Sequence, residues 1–146
     1  MAGLLLDTRA CLWWCLDDPR LSERARETIG AGGHAVYVSA ATGWEMAIKS
    51  GLGRLQLPGD LETFVADQLR ENACRPLASE MRLALLVRRL PEHHHDPFDR
   101  LLIAQAIADA LSGHVPGHGP VVKSARLPRL HRYRRACSPA PADRPW

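Results

Sequence analysis

Residues 95–106 read HDPFDRLLIAQA and form the most informative pattern in the chain. Asp96 stands where a helix N-cap is expected, and Pro97 stands at the first helical position. Asp99 lies in the first turn, where the helix dipole favours negative charge. The stretch therefore predicts a helix from Pro97 to about Leu111. Its apolar stripe consists of Leu102, Ile103, Ala106 and Ala110.

Upstream of this helix, short apolar segments alternate with segments of helical periodicity. Leu4–Leu6 and Val36–Val38 are strand candidates, and Cys74–Leu77 is a third. Strands that alternate with helices predict an α/β domain with a parallel sheet, whose ligands usually lie at the carboxyl ends of the strands. The expected helices are Leu12–Leu16, Glu23–Ile29, Ala41–Ser50, one after Asp60 with Leu61, Phe64, Val65 and Leu69 on one face, and one capped by Ser79 that carries Met81, Leu85 and Leu86.

The composition fits one globular domain. The chain has 146 residues, of which 46% are hydrophobic and 24% are charged, which excludes a collagenous, fibrous or wholly disordered protein. No apolar run approaches the roughly 20 residues that span a bilayer. The first positive side chain, Arg9, follows an acid, so a secretory signal is not expected either. We therefore expect a cytoplasmic protein without a membrane anchor.

Charge is unevenly distributed along the chain. Residues 1–112 carry 12 Lys and Arg against 15 Asp and Glu, whereas residues 113–146 carry 7 basic side chains, one acid and 6 of the 11 prolines. We expect a folded domain over 1–112 and a basic, Pro/Arg-rich tail over 113–146. Two interpretations of the tail stay open. Its arginines bind phosphates, with Tyr133 and Trp146 stacking on bases, or it is an extension without folded structure.

Three acids stand where packing would favour an apolar residue. Asp7 ends the first strand, Glu45 shares a helix face with Ile48 and Leu52, and Asp99 continues the apolar stripe of the last helix. Each also has a structural interpretation. Asp7 caps the next helix, Glu45 completes a capping box that Thr42 begins, and Asp99 interacts with the helix dipole.

The three acids together indicate a metal site. Like charges about 4 Å apart repel by roughly 4 kcal/mol at an effective dielectric constant of about 20, so a converging cluster of acids needs a cation. Ligands that are all oxygen suit Mg²⁺ or Mn²⁺ rather than Zn²⁺. Hydrolysis of a phosphodiester is one reaction that such a site supports.

At these residues the chain resembles the PIN domain of VapC-type toxins from bacterial toxin–antitoxin pairs. The resemblance covers about residues 3–111 and implies a three-layer α/β domain with a parallel sheet flanked by helices. It also implies a Mg²⁺-dependent endoribonuclease that cleaves RNA, forms a homodimer and is silenced by a cognate antitoxin. The motifs that carry it are LLLDT at 4–8, VYVS at 36–39, WEMAIK at 44–49, GRLQLP at 53–58 and, above all, residues 95–106.

The resemblance assigns expected roles by motif position. The catalytic, metal-binding acids would be Asp7, Glu45 and Asp99, with Mg²⁺ or alternatively Mn²⁺ as the cofactor. Thr8 would help to position water at the site, and Asp96 would support the turn before the last helix. The expected nucleic-acid contacts are Arg9, Lys49 and Arg100.

The chain departs from the family pattern after the third acid. That pattern continues with a strand and a Thr-x-Asp turn that supplies a fourth acid, whereas residues 111–120 contain no acid. Arg9 also stands where these toxins often have His. Two other functions therefore stay open, an inactive toxin relic that binds an antitoxin and a nucleic-acid-binding module that acts through the tail.

We hypothesise that a shift of reading frame near residues 111–113 replaced the native end of the domain. The abrupt change in charge and proline content motivates this hypothesis. Translation of the encoding DNA in its other frames should then reveal an apolar strand followed by Thr-x-Asp. If neither frame contains that pattern, the hypothesis is wrong.

Overall fold

The computed structural model describes residues 3–90, 95–109 and 112–114, the last three as backbone only. Its sheet consists of four parallel strands in the spatial order β3-β2-β1-β4. β1 lies between two neighbours, with Leu6 opposite Val38 on one side and opposite His114 on the other. The strands are β1 (Leu4–Leu6), β2 (Val36–Ser39), β3 (Arg75–Leu77) and β4 (Ser112–His114).

Six α-helices and a short 3₁₀ turn at Val87–Arg89 connect and follow these strands. Most of the helices begin at a side chain that accepts a hydrogen bond from the first turn, as the polar residues before them predict. These capping residues are Asp7, Ser22, Ser39, Asp60 and Asp96. The helices are α1 (Thr8–Cys15), α2 (Glu23–Gly30), α3 (Ala40–Gly51), α4 (Leu61–Glu71), α5 (Met81–Leu86) and α6 (Pro97–Ala108).

Helices cover both faces of the sheet and make three layers. Alternate residues of a strand point to opposite faces, so Leu6 and Val38 pack against α1, α2 and α4, whereas Leu5 packs on the other face against Leu102 and Ala106 of α6. Leu61, Val65 and Leu69 of the predicted apolar face of α4 pack against the first of these cores, and Phe64 of the same face is buried. The predicted α/β fold with a parallel sheet flanked by helices is confirmed.

The prediction for α5 is wrong in its N-cap, which is Glu80 rather than Ser79, and no side chain caps the helix. Of the three apolar residues that the prediction placed on this helix, Leu86 is buried together with its neighbour Leu83, whereas Met81 and Leu85 are 65% and 68% exposed. Residues 83–87 are all apolar, so the sequence pattern alone does not distinguish the buried face of this helix from its exposed face.

The strand β4 was not predicted, and it carries the sheet two residues beyond the expected domain boundary at 112. The rest of the expected basic tail, from residue 115, lies outside the described residues, as do residues 110 and 111 at the expected end of the last helix. Within the described ranges, no helix combines the length and the apolar character needed to cross a membrane.

A buried polar network ties α6 to the sheet. Gln105 has no exposed surface, and its side-chain oxygen accepts a hydrogen bond of 2.5 Å from Ser39 Oγ at the end of β2. Its Nε2 donates a bond of 2.8 Å to the carbonyl oxygen of Ala78, just after β3. This one side chain therefore fixes the position of α6 against two neighbouring strands.

Gln105→Ala is expected to lower the free energy of unfolding by about 2–4 kcal/mol, because it leaves a cavity and removes the hydrogen bonds of the Gln105 side chain to Ser39 Oγ and to the carbonyl oxygen of Ala78. Gln56→Ala, at an exposed position, is the matched control and should change stability by less than about 0.5 kcal/mol. Urea unfolding followed by circular dichroism measures both. Equal effects of the two substitutions would contradict the structural role of Gln105.

Candidate active site

The site lies at the carboxyl edge of the sheet, where the direction of the chain connections changes. From β1 the chain moves to β2 and β3 on one side, and it later returns through α6 to β4 on the other side. Such a switch point leaves a crevice beyond the strand ends, because the connecting helices diverge there. Asp7 directly follows β1 at this point.

Asp7 is a buried carboxylate. Only 8% of its surface is exposed, and one carboxylate oxygen accepts a 2.6 Å hydrogen bond from the backbone N–H of Ala10, so Asp7 is the N-cap of α1 as predicted. Burial raises its pKa from 3.8 to about 6, and the negative charges of Asp99 and Glu45 contribute to this rise. The hydrogen bond from the Ala10 N–H and the positive charge of Arg9 lower the pKa of Asp7 and so offset part of this rise. The three acids therefore lie within electrostatic range of one another.

Glu45 lies in the second turn of α3 and is held by two partners. Its Oε1 lies 2.5 Å from Lys49 Nζ, one turn further along the same helix, and its Oε2 accepts a hydrogen bond from Thr8 Oγ1. Thr8 is 3% exposed at the start of α1. The Thr8–Glu45 bond therefore joins the helices that follow β1 and β2, next to Asp7.

The surroundings of Glu45 differ from the prediction. α3 begins at Ala40 with Ser39 as its N-cap, so Glu45 does not complete a capping box with Thr42. The helix face that Glu45 shares with Ile48 and Leu52 was expected to pack into the core. Ile48 and Leu52 are instead 39% and 61% exposed, so this face borders solvent.

The third acid, Asp99, is half-buried in the first turn of α6. Asp96 caps this helix, as predicted, by accepting hydrogen bonds of 2.9 and 3.0 Å from the backbone N–H groups of Phe98 and Asp99. Asp96 thus fixes the backbone that carries Asp99. Its own carboxylate is exposed.

The three expected cationic contacts differ in their surroundings. Arg9 is exposed beside Asp7, and the side chain of Lys49 is 40% exposed while it pairs with Glu45. Arg100 is half-buried, and its Nη2 donates hydrogen bonds of 3.0 and 3.2 Å to the carbonyl oxygens of Val87 and Leu90. The guanidinium of Arg100 therefore holds α6 to the 3₁₀ turn before it.

The donor chemistry of the site fits a hard divalent cation. Three carboxylates and the hydroxyl of Thr8 offer oxygen ligands only, and a cation would offset the burial and the repulsion by Asp99 and Glu45 that raise the pKa of Asp7. As the described side chains stand, no three of His, Cys, Asp and Glu converge closely enough to coordinate one ion. Glu45 must exchange one of its two present partners to become a ligand.

Two features next to the site escaped the sequence analysis. Ser39 and Gln105 form the buried network under the carboxyl edge, and the only sequence signal for it is a glutamine inside the apolar run of α6. Trp44 and Phe98 make an edge-to-face contact beside the site. Each of these aromatic residues directly precedes one of the acids, Glu45 and Asp99, and this adjacency is visible in the sequence.

Residues 4–112 match the family of PIN domains, and this match spans most of the chain. The protein therefore belongs to the PIN domain family. PIN domains are generally nucleases, which hydrolyse nucleic acids, and they typically use divalent metal ions. A comparison with curated proteins found no significant match.

Asp7→Asn is expected to stabilise the protein at neutral pH. The folded state holds the Asp7 proton up to a pKa of about 6, against 3.8 for an ordinary Asp, so the free energy of unfolding falls as pH rises between these values. Above both values the penalty is about 3 kcal/mol, and Asn removes the charge but keeps the helix cap. The stability gain at about pH 7.5 should disappear below about pH 4.

The matched control is Asp60→Asn, another substitution at an aspartate that caps a helix. Asp60 is exposed, and the backbone N–H of Thr63 lowers its pKa, so its charge contributes stability above the ordinary pKa that is lost as pH falls. Asp60→Asn should therefore lower the melting temperature at about pH 7.5. Thermal unfolding across the pH range measures both variants, and a shift of the same sign in both would refute this electrostatic account.

Proposed function

We propose that this protein is an endoribonuclease that hydrolyses RNA phosphodiester bonds with Mg²⁺, or with Mn²⁺ in its place. The observation that carries the proposal is the buried Asp7, whose pKa is raised by burial and by two further acids at the carboxyl edge of a PIN-domain sheet. An acidic cluster that raises the pKa of a buried carboxyl group at a ligand-binding edge favours a metal-dependent reaction over a purely structural role.

Asp7, Glu45 and Asp99 are the residues that would hold the metal ion. When bound, a divalent ion stabilises the charge that develops on the phosphate and makes water more acidic. Asp7 is oriented for this role by the N–H of Ala10, and Asp99 by the capped first turn of α6. Neutralisation of the cluster by a cation would also remove the electrostatic penalty on Asp7.

Lys49 has a double role in this proposal. In the structure its ammonium group neutralises Glu45. If a substrate phosphate took Lys49 as its partner, Oε1 of Glu45 would become available to a metal ion, while Oε2 would keep its hydrogen bond from Thr8. Exposed Arg9 supplies a second cation at the same edge for the nucleic-acid backbone.

The biological context of the proposal rests on the resemblance to VapC-type toxins. We propose that the protein is the toxin of a toxin–antitoxin pair, acts in the cytoplasm as a homodimer and is silenced by a cognate antitoxin. The motifs at 4–8, 44–49 and 95–106 support this narrower assignment. The position of Asp7, Glu45 and Asp99 within electrostatic range of one another supports the metal-dependent hydrolysis that this assignment requires.

Cleavage of a mixed RNA pool by the purified protein tests the reaction. Mg²⁺ or Mn²⁺ should support cleavage and EDTA should abolish it, while Asp99→Asn should lower the rate by about 100-fold or more, because a charge that stabilises the reacting state is lost. The matched control is Asp109→Asn, at the other end of α6, which should retain the rate. Product lengths on a sequencing gel give the rates.

Several outcomes would contradict this proposal. Folded protein that cuts nothing would favour an inactive relic, and cleavage that survives both EDTA and Asp99→Asn would exclude the acidic site. Cleavage of single-stranded DNA but not RNA would overturn the substrate assignment. Induced expression of the wild type should arrest bacterial growth, whereas expression of Asp99→Asn should not. Growth arrest by Asp99→Asn would show that toxicity does not depend on RNA cleavage.

A further inference from the structure

An exposed tryptophan stands beside the acidic site. Trp44 is 60% exposed, which is a large exposed fraction for a residue that normally buries most of its surface. Its ring makes an edge-to-face contact with Phe98, with centroids 5.1 Å apart and planes at 69°. This contact fixes the orientation of the indole and leaves much of its surface open to solvent.

The chain places this aromatic pair at the acids themselves. Trp44 is followed directly by Glu45 on α3, and Phe98 is followed directly by Asp99 on α6. The contact between the two rings therefore bridges the same two helices that bring two of the acids to the carboxyl edge. The indole therefore belongs to the residue next to Glu45 and contacts the residue next to Asp99.

Trp44 is also the first member of an exposed apolar stripe on α3, followed by Ile48 and Leu52. A stripe of this kind can serve as a protein contact surface. The Trp44 end differs from the Leu52 end, because Trp44 directly precedes Glu45 and contacts Phe98, which directly precedes Asp99. An aromatic face next to a site that is proposed to act on phosphodiesters matches the chemistry of unpaired nucleotides, whose bases stack on aromatic side chains.

We propose that Trp44, held in place by Phe98, stacks on an unpaired base of the nucleic acid whose phosphate enters the acidic site. The inference rests on the proposed nuclease function, since that function supplies the nucleic acid. Every base has a π-face, so the contact selects single-stranded substrate without selecting its sequence. The edge-to-face contact with Phe98 keeps the indole ordered before the substrate binds, which limits the entropy lost on binding.

Binding of two oligonucleotides separates a base contact from a phosphate contact. One is a single-stranded oligo(A) RNA of about 12 nucleotides, and the other is an abasic strand of the same length, each labelled with fluorescein. Anisotropy in EDTA at low salt gives Kd while metal-dependent cleavage is prevented. Trp44→Ala should raise Kd for oligo(A) by about 5- to 100-fold and should change Kd for the abasic strand by less than about 2-fold.

Two further variants control this experiment. Trp44→Phe keeps an aromatic face and should retain most of the affinity for oligo(A). Leu52→Ala removes a similarly exposed apolar side chain, two turns further along the stripe, and should leave both Kd values unchanged. Light scattering after size-exclusion chromatography reports the oligomeric state of each variant.

The outcomes that overturn the inference are distinct from those that overturn the nuclease. Equal effects of Trp44→Ala on the two strands, or no effect on either, exclude base stacking. If both Trp44→Ala and Leu52→Ala convert a dimer to a monomer, and Trp44→Ala changes Kd equally for oligo(A) and for the abasic oligonucleotide, the stripe is a protein interface. Metal-dependent RNA cleavage with an unchanged KM in Trp44→Ala refutes the stacking alone. Wild-type protein that binds neither strand and also cleaves no RNA with Mg²⁺ or Mn²⁺ refutes both proposals.

Discussion

Hydrogen bonding of β1 along both of its edges is the constraint on which the rest of the structure depends. Leu4, Leu5 and Leu6 are 6%, 2% and 0% exposed, because neighbouring strands flank β1 and helices cover both faces of the sheet. The residue that follows such a strand leaves the sheet in an environment with little water. Desolvation of Asp7 is thus a consequence of where β1 lies in the sheet, and its raised pKa follows from the topology.

The acids of the site differ in the partners that stabilise their negative charges. Glu45 has a cation and a hydroxyl as partners, whereas the main stabilising contact of Asp7 is a single backbone N–H. The buried carboxylate of Asp7, whose pKa is raised by burial and by the charges of Asp99 and Glu45, lowers the stability of the fold at neutral pH, which is a common relation between stability and function at active sites. Gln105 and Ser39 add stability through a buried hydrogen bond at the carboxyl end of β2.

Sequence patterns predicted the parts of this fold that depend on local chemistry. The helix from Pro97 carries its own cap, and Leu4–Leu6 is apolar enough to be identified as a buried strand, so Asp99 and Asp7 could be placed on their elements. Ser112–His114 has no apolar pattern, and it is a strand because β1 offers a free edge to it. The exposure of Ile48 likewise depends on which helices pack nearby, and helical periodicity contains no such information.

The outer strand β3 contains a proline at its centre. Pro76 has no backbone N–H to donate, and Arg75 beside it is exposed, so the free edge of β3 is a poor template for another strand. Growth of the sheet is therefore directed to the opposite edge, beside β4. A parallel strand added there by another protein would be separated from β1 by β4 and would end at the carboxyl edge of the sheet, one strand away from Asp7.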